Sequence, residues 1–255
     1  MGIRYFSFYS SYLRKEMRTS IYIPENVPVK ELPVLYFLHG RTGNEQLLEQ
    51  LGMEHTMERL QKEQKIKPMI IVCPNLNNSR GIDSCKTYQR IQGKHGMIYK
   101  GLYEKYLILE LIPYVEKWVG TRTDREHRFI GGISAGGYAA LHNGFRHPEL
   151  FSKIGGHMPA VDLSYEQEDE EYFKNRAMWE KYDPILLAEK SDLTGCKVYL
   201  DDGKEDEGKF YVACKKLYEI LRKKHVEVEN HLFQGRHNGE YIMANMDNYL
   251  QFYSK

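Results

Sequence analysis

The chain has 255 residues, of which 42% are hydrophobic and 28% charged, and its formal net charge is +1. That length suits one α/β domain with an ample core. The balanced charge argues against nucleic acid or an anionic membrane face as a partner, and no apolar run nears the ~20 residues of a membrane helix.

No repeat or low-complexity linker divides the chain, so a single domain over residues 1–255 is expected. Two short strands, 4–9 and 18–23, are followed by a proline-rich turn ending at Pro33. Val34–Leu38 (VLYFL) and residues 69–73 (MIIVC) are continuous apolar runs, as expected of strands buried on both faces of a parallel sheet. Between them residues 45–65 are helical in pattern, with Leu47, Leu48, Leu51, Met57 and Leu60 recurring at three- and four-residue steps. A second amphipathic helix, 107–119, leads into a strand at 129–133. Lys153–His157, 197–200 and 226–233 follow as strands, with helices at 211–224 and 241–253. Alternation of this kind predicts a mostly parallel sheet covered by helices on both faces, with its ligand crevice at the carboxyl ends of the strands.

The opening MGIRYFSFYSSYLRKEM lacks a basic start followed by an apolar core, so no secretion leader is predicted. Phe6 stands where a myristoylation signal wants Ser or Thr. Cys73, Cys85, Cys196 and Cys214 show neither paired metal spacing nor a dense disulfide framework; free thiols in a reducing cytoplasm are the expectation.

Residues 131–137 read GGISAGG, and Gly132-Ile133-Ser134-Ala135-Gly136 fits G-x-S-x-G, the strand-to-helix elbow that exposes a nucleophilic serine. The pentapeptide alone is weak. The apolar Arg128-Phe129-Ile130 before it and the helix-forming Tyr138-Ala139-Ala140-Leu141 after it supply the strand and helix that the motif requires. A serine hydroxyl needs a base, and the base needs an orienting group. In α/β-hydrolases these follow in the order Ser, acid, His.

Among the histidines after Ser134, His142 and His147 lie on or just after the helix following the elbow, His225 closes a helix, and His231 falls within the last strand. His237 lies in Gly235-Arg236-His237-Asn238-Gly239, a polar loop between the last strand and last helix, and is the predicted base. For the acid, strand 197–200 runs into Asp201-Asp202-Gly203-Lys204-Glu205-Asp206-Glu207. Asp206, beyond the Gly203 turn, is preferred over Asp202, with Glu205 third. The backbone N–H of Ala135 is one expected oxyanion donor. The N–H of Arg41, in the glycine-bearing loop His39-Gly40-Arg41-Thr42-Gly43-Asn44, is the other; Asn44 there also reads as a helix cap.

The series HGRTGN, GGISAGG, DGKED and GRHNGEY resembles the esterase D-type "putative esterase" branch of the α/β-hydrolases, a group of tributyrin, feruloyl and acetylxylan esterases, S-formylglutathione hydrolases and mycolyltransferases. The likeness spans nearly the whole chain, including RTSIYIP (18–24) and YDPILLA (182–188). It implies an α/β-hydrolase fold with Ser134 as nucleophile, Asp206 as acid, His237 as base, the amides of Arg41 and Ala135 as oxyanion hole, and no cofactor. Two departures alter the pocket wall: Asn238, Gly239, Glu240 and Tyr241 follow the histidine where relatives carry tryptophans, and Ala135 stands where Met is common.

Two segments read as pocket rims: the long polar loop 77–99, and the excursion 160–187 with its acidic run and the aromatics Tyr172, Phe173, Trp179 and Tyr182. The second is either a cap over the crevice or a surface helix whose aromatics pack on the sheet. Cys85 and His95 lack the matched second pair of a metal site, so no metal is expected. The predicted activity is a serine carboxylesterase acting on short acyl groups of carbohydrate or aryl alcohols. The rival readings are an acyltransferase, a thioesterase of the S-formylglutathione type, and a catalytically idle binding protein. The expected partner is a small-molecule ester, without nucleic acid or membrane, and a homo-oligomer is as compatible with the sequence as a monomer.

Overall fold

The computed structural model describes residues 2–25 and 27–255. Eight strands form one sheet: β1 (Ile3–Ser10), β2 (Lys15–Tyr22), β3 (Val34–Leu38), β4 (Ile70–Pro74), then β7 (Arg128–Ile133), β8 (Lys153–His157), β9 (Lys197–Gly203) and β10 (Glu227–Phe233). Between β4 and β7 a separate hairpin pairs β5 (Gln89–Gly93) with β6 (Gly96–Lys100). The sheet order is β1-β2-β4-β3-β7-β8-β9-β10, and β2 alone runs against the rest.

The helices are α1 (Leu47–Gln50), α2 (Met53–Lys62), α3 (Tyr103–Lys105), α4 (Ile112–Val119), α5 (Ala135–Arg146), α6 (Arg176–Tyr182), α7 (Pro184–Lys190), α8 (Tyr211–Lys223) and α9 (Gly239–Ser254). Alternate residues of each buried strand feed two cores. Val34, Tyr36, Val198 and Leu200 join Val115 of α4, Leu141 of α5 and Leu217 of α8 on one face. Leu35, Phe37 and Tyr199 join Met57 of α2 and Tyr249 of α9 on the other. This is a mixed, largely parallel α/β sheet with helices on both sides, as the alternating pattern predicted.

Three expectations are corrected. The helix over 45–65 is two helices, because Gly52 takes a left-handed conformation (φ 59°) that ends one and caps the next. The helix expected over 107–119 is regular only over Ile112–Val119; its first part lies in a wider-wound turn, Tyr106–Leu111, just ahead of Pro113, which brings no N–H to the ladder. Segment 77–99 is not all loop, since it contains the β5–β6 hairpin.

Strand register sets up the crevice. Leu38 pairs with Gly132, and Ile133, His157, Asp201 and His231 form one row across β7, β8, β9 and β10. The chain leaves β3 for β4 on one side and continues from β7 to β8 on the other. The carboxyl ends of β3 and β7 therefore border the point where the winding reverses, where open α/β sheets place their ligands. Among the described residues no helix is long and apolar enough to cross a membrane.

Candidate active site

Ser134 is the first residue beyond β7 and immediately precedes α5. Its backbone is held at φ 53° and ψ −119°, a conformation that costs a non-glycine residue of order 1–3 kcal/mol. The surroundings enforce it: the Ser134 N–H donates to the His157 carbonyl (3.0 Å), and the Ser134 carbonyl accepts from the N–H groups of Tyr138 (2.9 Å) and Ala160 (3.0 Å). A side chain at Gly136 would bring its Cβ to 2.2 Å from the Leu38 carbonyl oxygen, so only glycine lets the helix start this close to β3.

The His237 loop meets the serine from the far side of the sheet. His237 Nε2 lies 2.8 Å from Ser134 Oγ, a hydrogen-bond distance. His237 Nδ1 lies 3.4 Å from Asp206 Oδ2, at ion-pair range but off the line of a hydrogen bond. Gly203, at the end of β9, permits the two loops to touch: a Cβ there would sit 2.3 Å from the Gly235 carbonyl oxygen. The N–H of Glu205 donates to that same carbonyl (2.9 Å). Beyond the histidine, Asn238 caps α9 by accepting from the Tyr241 N–H (3.0 Å). The Phe210 ring meets the imidazole edge-on at 5.4 Å.

Asp206 is buried, and its Oδ1 accepts from the Gly208 N–H (2.9 Å). Burial alone would raise its pKa, but the imidazole and this amide outweigh burial and hold the carboxyl below its usual value. Asp202 is fully buried beside it, with Oδ1 accepting from the Gly203 N–H (2.7 Å). Asp202, Asp206 and His237 each place a polar atom within 4.8 Å of the other two, and this is the one cluster with metal-ligand proximity found among the described residues.

The loop after β3 lies against the elbow, with Gly40 so near that a Cβ would stand 3.4 Å from Ser134 Cβ. The buried His39 ring pins this loop: Nδ1 donates to the Gly40 carbonyl (2.8 Å), and Nε2 accepts from the Leu76 N–H (2.9 Å). Burial lowers the pKa of His39, in keeping with a neutral ring in that tautomer. Neither the Arg41 nor the Ala135 N–H donates a hydrogen bond among the described residues. Asn44 accepts from Gln46 in the turn before α1. The sequence reading missed the pinning role of His39; a histidine at the exit of a buried strand beside a glycine was the available signal.

Ser134, His237 and Arg41 line a cleft of about 450 Å³, with apolar walls from Leu47, Leu51, Ile133, Met158, Ile242 and Met243. Across the Arg41–Gly43 stretch lies a polar hollow of about 270 Å³ lined by Asn44, Asn75, Asn77, Asn78, His95 and Tyr99. No residue of 160–187 lines either. Tyr172, Phe173, Trp179 and Tyr182 of that segment are buried, and it joins 77–99 through Tyr172–Asn78 (2.8 Å), His95–Glu168 (2.9 Å) and Arg80–Asp169 (3.3 Å).

A sheet of this order with a strained serine at its switch point defines the α/β-hydrolase fold. Solved structures agree. A ferulic acid esterase covers 99% of this chain and 96% of its own at 22% identity, with a TM-score of 0.81. An S-formylglutathione hydrolase from Staphylococcus aureus covers 100% and 99% at 18% identity, with a TM-score of 0.76. A ferulic acid esterase from Anaeromyces mucronatus, solved in complex with ferulic acid, covers 98% and 89% at 21% identity, with a TM-score of 0.72. Residues 10–253 match the family described as "Putative esterase". The chain belongs to that family and is an ester hydrolase.

Proposed function

We propose that the protein is a serine carboxylesterase in which Ser134 is the nucleophile, His237 the general base and Asp206 the orienting acid. The observation that carries this reading is the 2.8 Å contact between His237 Nε2 and Ser134 Oγ, made by a serine on a strained elbow at the mouth of an apolar cleft. Ser134 Oγ attacks the ester carbonyl while its proton passes to His237 Nε2, and Asp206 steadies the resulting imidazolium. The N–H groups of Arg41 and Ala135 receive the charge that develops on the carbonyl oxygen, each worth ~3 kcal/mol in the transition state. His237 then protonates the leaving alcohol, and water cleaves the acyl-enzyme by the same route.

The cleft's apolar walls favour a short acyl or aryl group. The asparagine-lined hollow beyond Arg41 supports a hydroxylated alcohol half, because its amides offer both donors and acceptors. The test is a panel of p-nitrophenyl acyl esters, feruloyl esters and acetylated oligosaccharides, run beside Ser134→Ala. Turnover of short esters that falls by about 10⁴- to 10⁶-fold in the variant is expected. Equal rates for the two proteins on every ester would overturn the reading.

A further inference from the structure

We propose that Asp202 is a positioning residue that keeps its proton and donates it in a hydrogen bond to Asp206, so that an un-ionised carboxyl group holds the acid facing His237. The proposal rests on the assignment of His237 and Asp206 above. It starts from an unmatched atom: Asp202 is fully buried, its Oδ1 accepts from Gly203, and its Oδ2 is enclosed with no hydrogen-bond donor reaching it. A bare carboxylate oxygen left in that state would be costly.

The adjacent group is another carboxyl. Asp202 and Asp206 each bring a carboxyl oxygen within 4.8 Å of the other and of an imidazole nitrogen of His237. Two carboxylates so close and away from water cannot both ionise, so one proton stays with the pair.

The neighbours decide which carboxyl holds it. Asp206 accepts from the N–H groups of Gly208 (2.9 Å) and Phe210 (3.4 Å), and His237 Nδ1 stands at ion-pair range (3.4 Å). Asp202 accepts from one N–H group. Negative charge therefore settles on Asp206 and the proton on Asp202, whose empty Oδ2 becomes a donor. The other titratable groups nearby leave this unchanged. Cys214 of α8 is held neutral by burial, and Tyr241 of α9 donates to Asp201, which lies on the opposite face of β9. No Lys or Arg pairs with Asp202 among the described residues. Burial first, and the charge of Asp206 second, push the Asp202 carboxyl up to about 8.

The experiment has two readouts, one of them independent of turnover. In Ser134→Ala protein at neutral pH, the infrared carbonyl band of a protonated carboxylic acid is expected, and it should vanish on adding Asp202→Asn. In the otherwise native enzyme, Asp202→Asn retains an uncharged donor, so the acid limb of the kcat/KM profile should stay within about 0.3 pH units. Asp202→Ala removes the donor and concentrates charge on Asp206, which moves that limb to higher pH and lowers kcat about tenfold. If Asp202 were ionised, the band would be missing and Asp202→Asn would shift the limb to lower pH by removing a negative charge; either result overturns the proposal. Should Asp202→Ala not fold, the band and the Asn profile still decide. A band that persists in a protein whose Ser134 proves irrelevant to turnover would condemn the catalytic assignment and spare the proton on Asp202.

Discussion

Two His–Asp pairs lie near the carboxyl ends of β8, β9 and β10, one within the strands and one in the loops beyond them, and their similar spacing shows what makes only one of them a candidate catalyst. His237 Nδ1 and Asp206 are 3.4 Å apart, and His157 Nδ1 and Asp201 are also 3.4 Å apart. What differs is the other imidazole nitrogen. His237 Nε2 faces Ser134 Oγ in a cleft, with about a quarter of its side chain exposed; His157 Nε2 faces the Tyr253 hydroxyl (2.9 Å), with nothing exposed. Asp201 also accepts from the hydroxyls of Tyr241 (2.7 Å) and Tyr249 (2.8 Å), tying α9 down to β9. Consecutive residues of one strand thus attend two pairs on opposite faces, Asp201 the core pair and Asp202 the pair at the cleft. A histidine and a carboxyl in contact are a structural tie until a nucleophile and open space adjoin them.

The sharpest way to break this contrast is to remove each imidazole in turn. His237→Ala should lower kcat by about 10⁴- to 10⁶-fold with little change in Tm. His157→Ala should lower Tm sharply, since it empties a fully buried site and removes the partner of Asp201 Oδ1 and of the Tyr253 hydroxyl, while the folded fraction keeps kcat within about tenfold. Turnover assays beside thermal melts check both, and the same phenotype from both variants would erase the distinction.

The acids come next. Asp206→Asn should cost about 10⁴-fold in kcat, because the amide favours the wrong tautomer of the base. Asp201→Asn should instead cost about 2–3 kcal/mol of stability by weakening the acceptor shared by two buried tyrosines. Denaturant melts and initial rates separate these outcomes. Smaller again is the loss expected from Arg41→Pro, which deletes one main-chain donor: about 10²- to 10³-fold in kcat with KM nearly unchanged. A kcat within a factor of two of native would remove Arg41 from the oxyanion hole.

The cleft pair stood out in the sequence, and the core pair did not. Ser134, Asp206 and His237 each sit past the end of a strand, within glycine-punctuated loops whose only periodicity is their break in it. His157 ends β8 (KIGGH) and Asp201 lies within β9 (KVYLDDG), where neither residue carries a mark of its partner. Their contact depends on the register of β8 against β9 and on the packing of α9, which are long-range facts. The break at Gly52 was hidden for a different reason: the leucine spacing continues across it, and the glycine's left-handed backbone shows only in three dimensions. The β5–β6 hairpin lies on the surface with mostly exposed residues, so it lacked the alternation by which strands are recognised.

The weakest expected effect concerns pH. Burial lowers the pKa of His157 below its ordinary 6.5 despite the opposing pull of Asp201, and lowers that of His142 to about 4. A group whose folded pKa is depressed in this way binds its proton more readily when unfolded. The contribution of each such site should therefore hold above pH 6.5 and fall as pH drops below it, by up to about 1.4 kcal/mol per pH unit, while the raised carboxyl of Asp202 contributes in the opposite sense. His157→Gln keeps a polar side chain there but cannot titrate, so its stability should decline less steeply between pH 6.5 and 5 than that of the native protein. The slope that remains should belong to His142, which is fully buried and bonded to the Arg80 carbonyl (3.1 Å), and to His39, whose pKa burial also lowers. Equal slopes for the two proteins in chemical melts would mean that the core imidazole takes up a proton without unfolding. The core pair would then have more of the cleft pair's freedom to titrate than its burial allows.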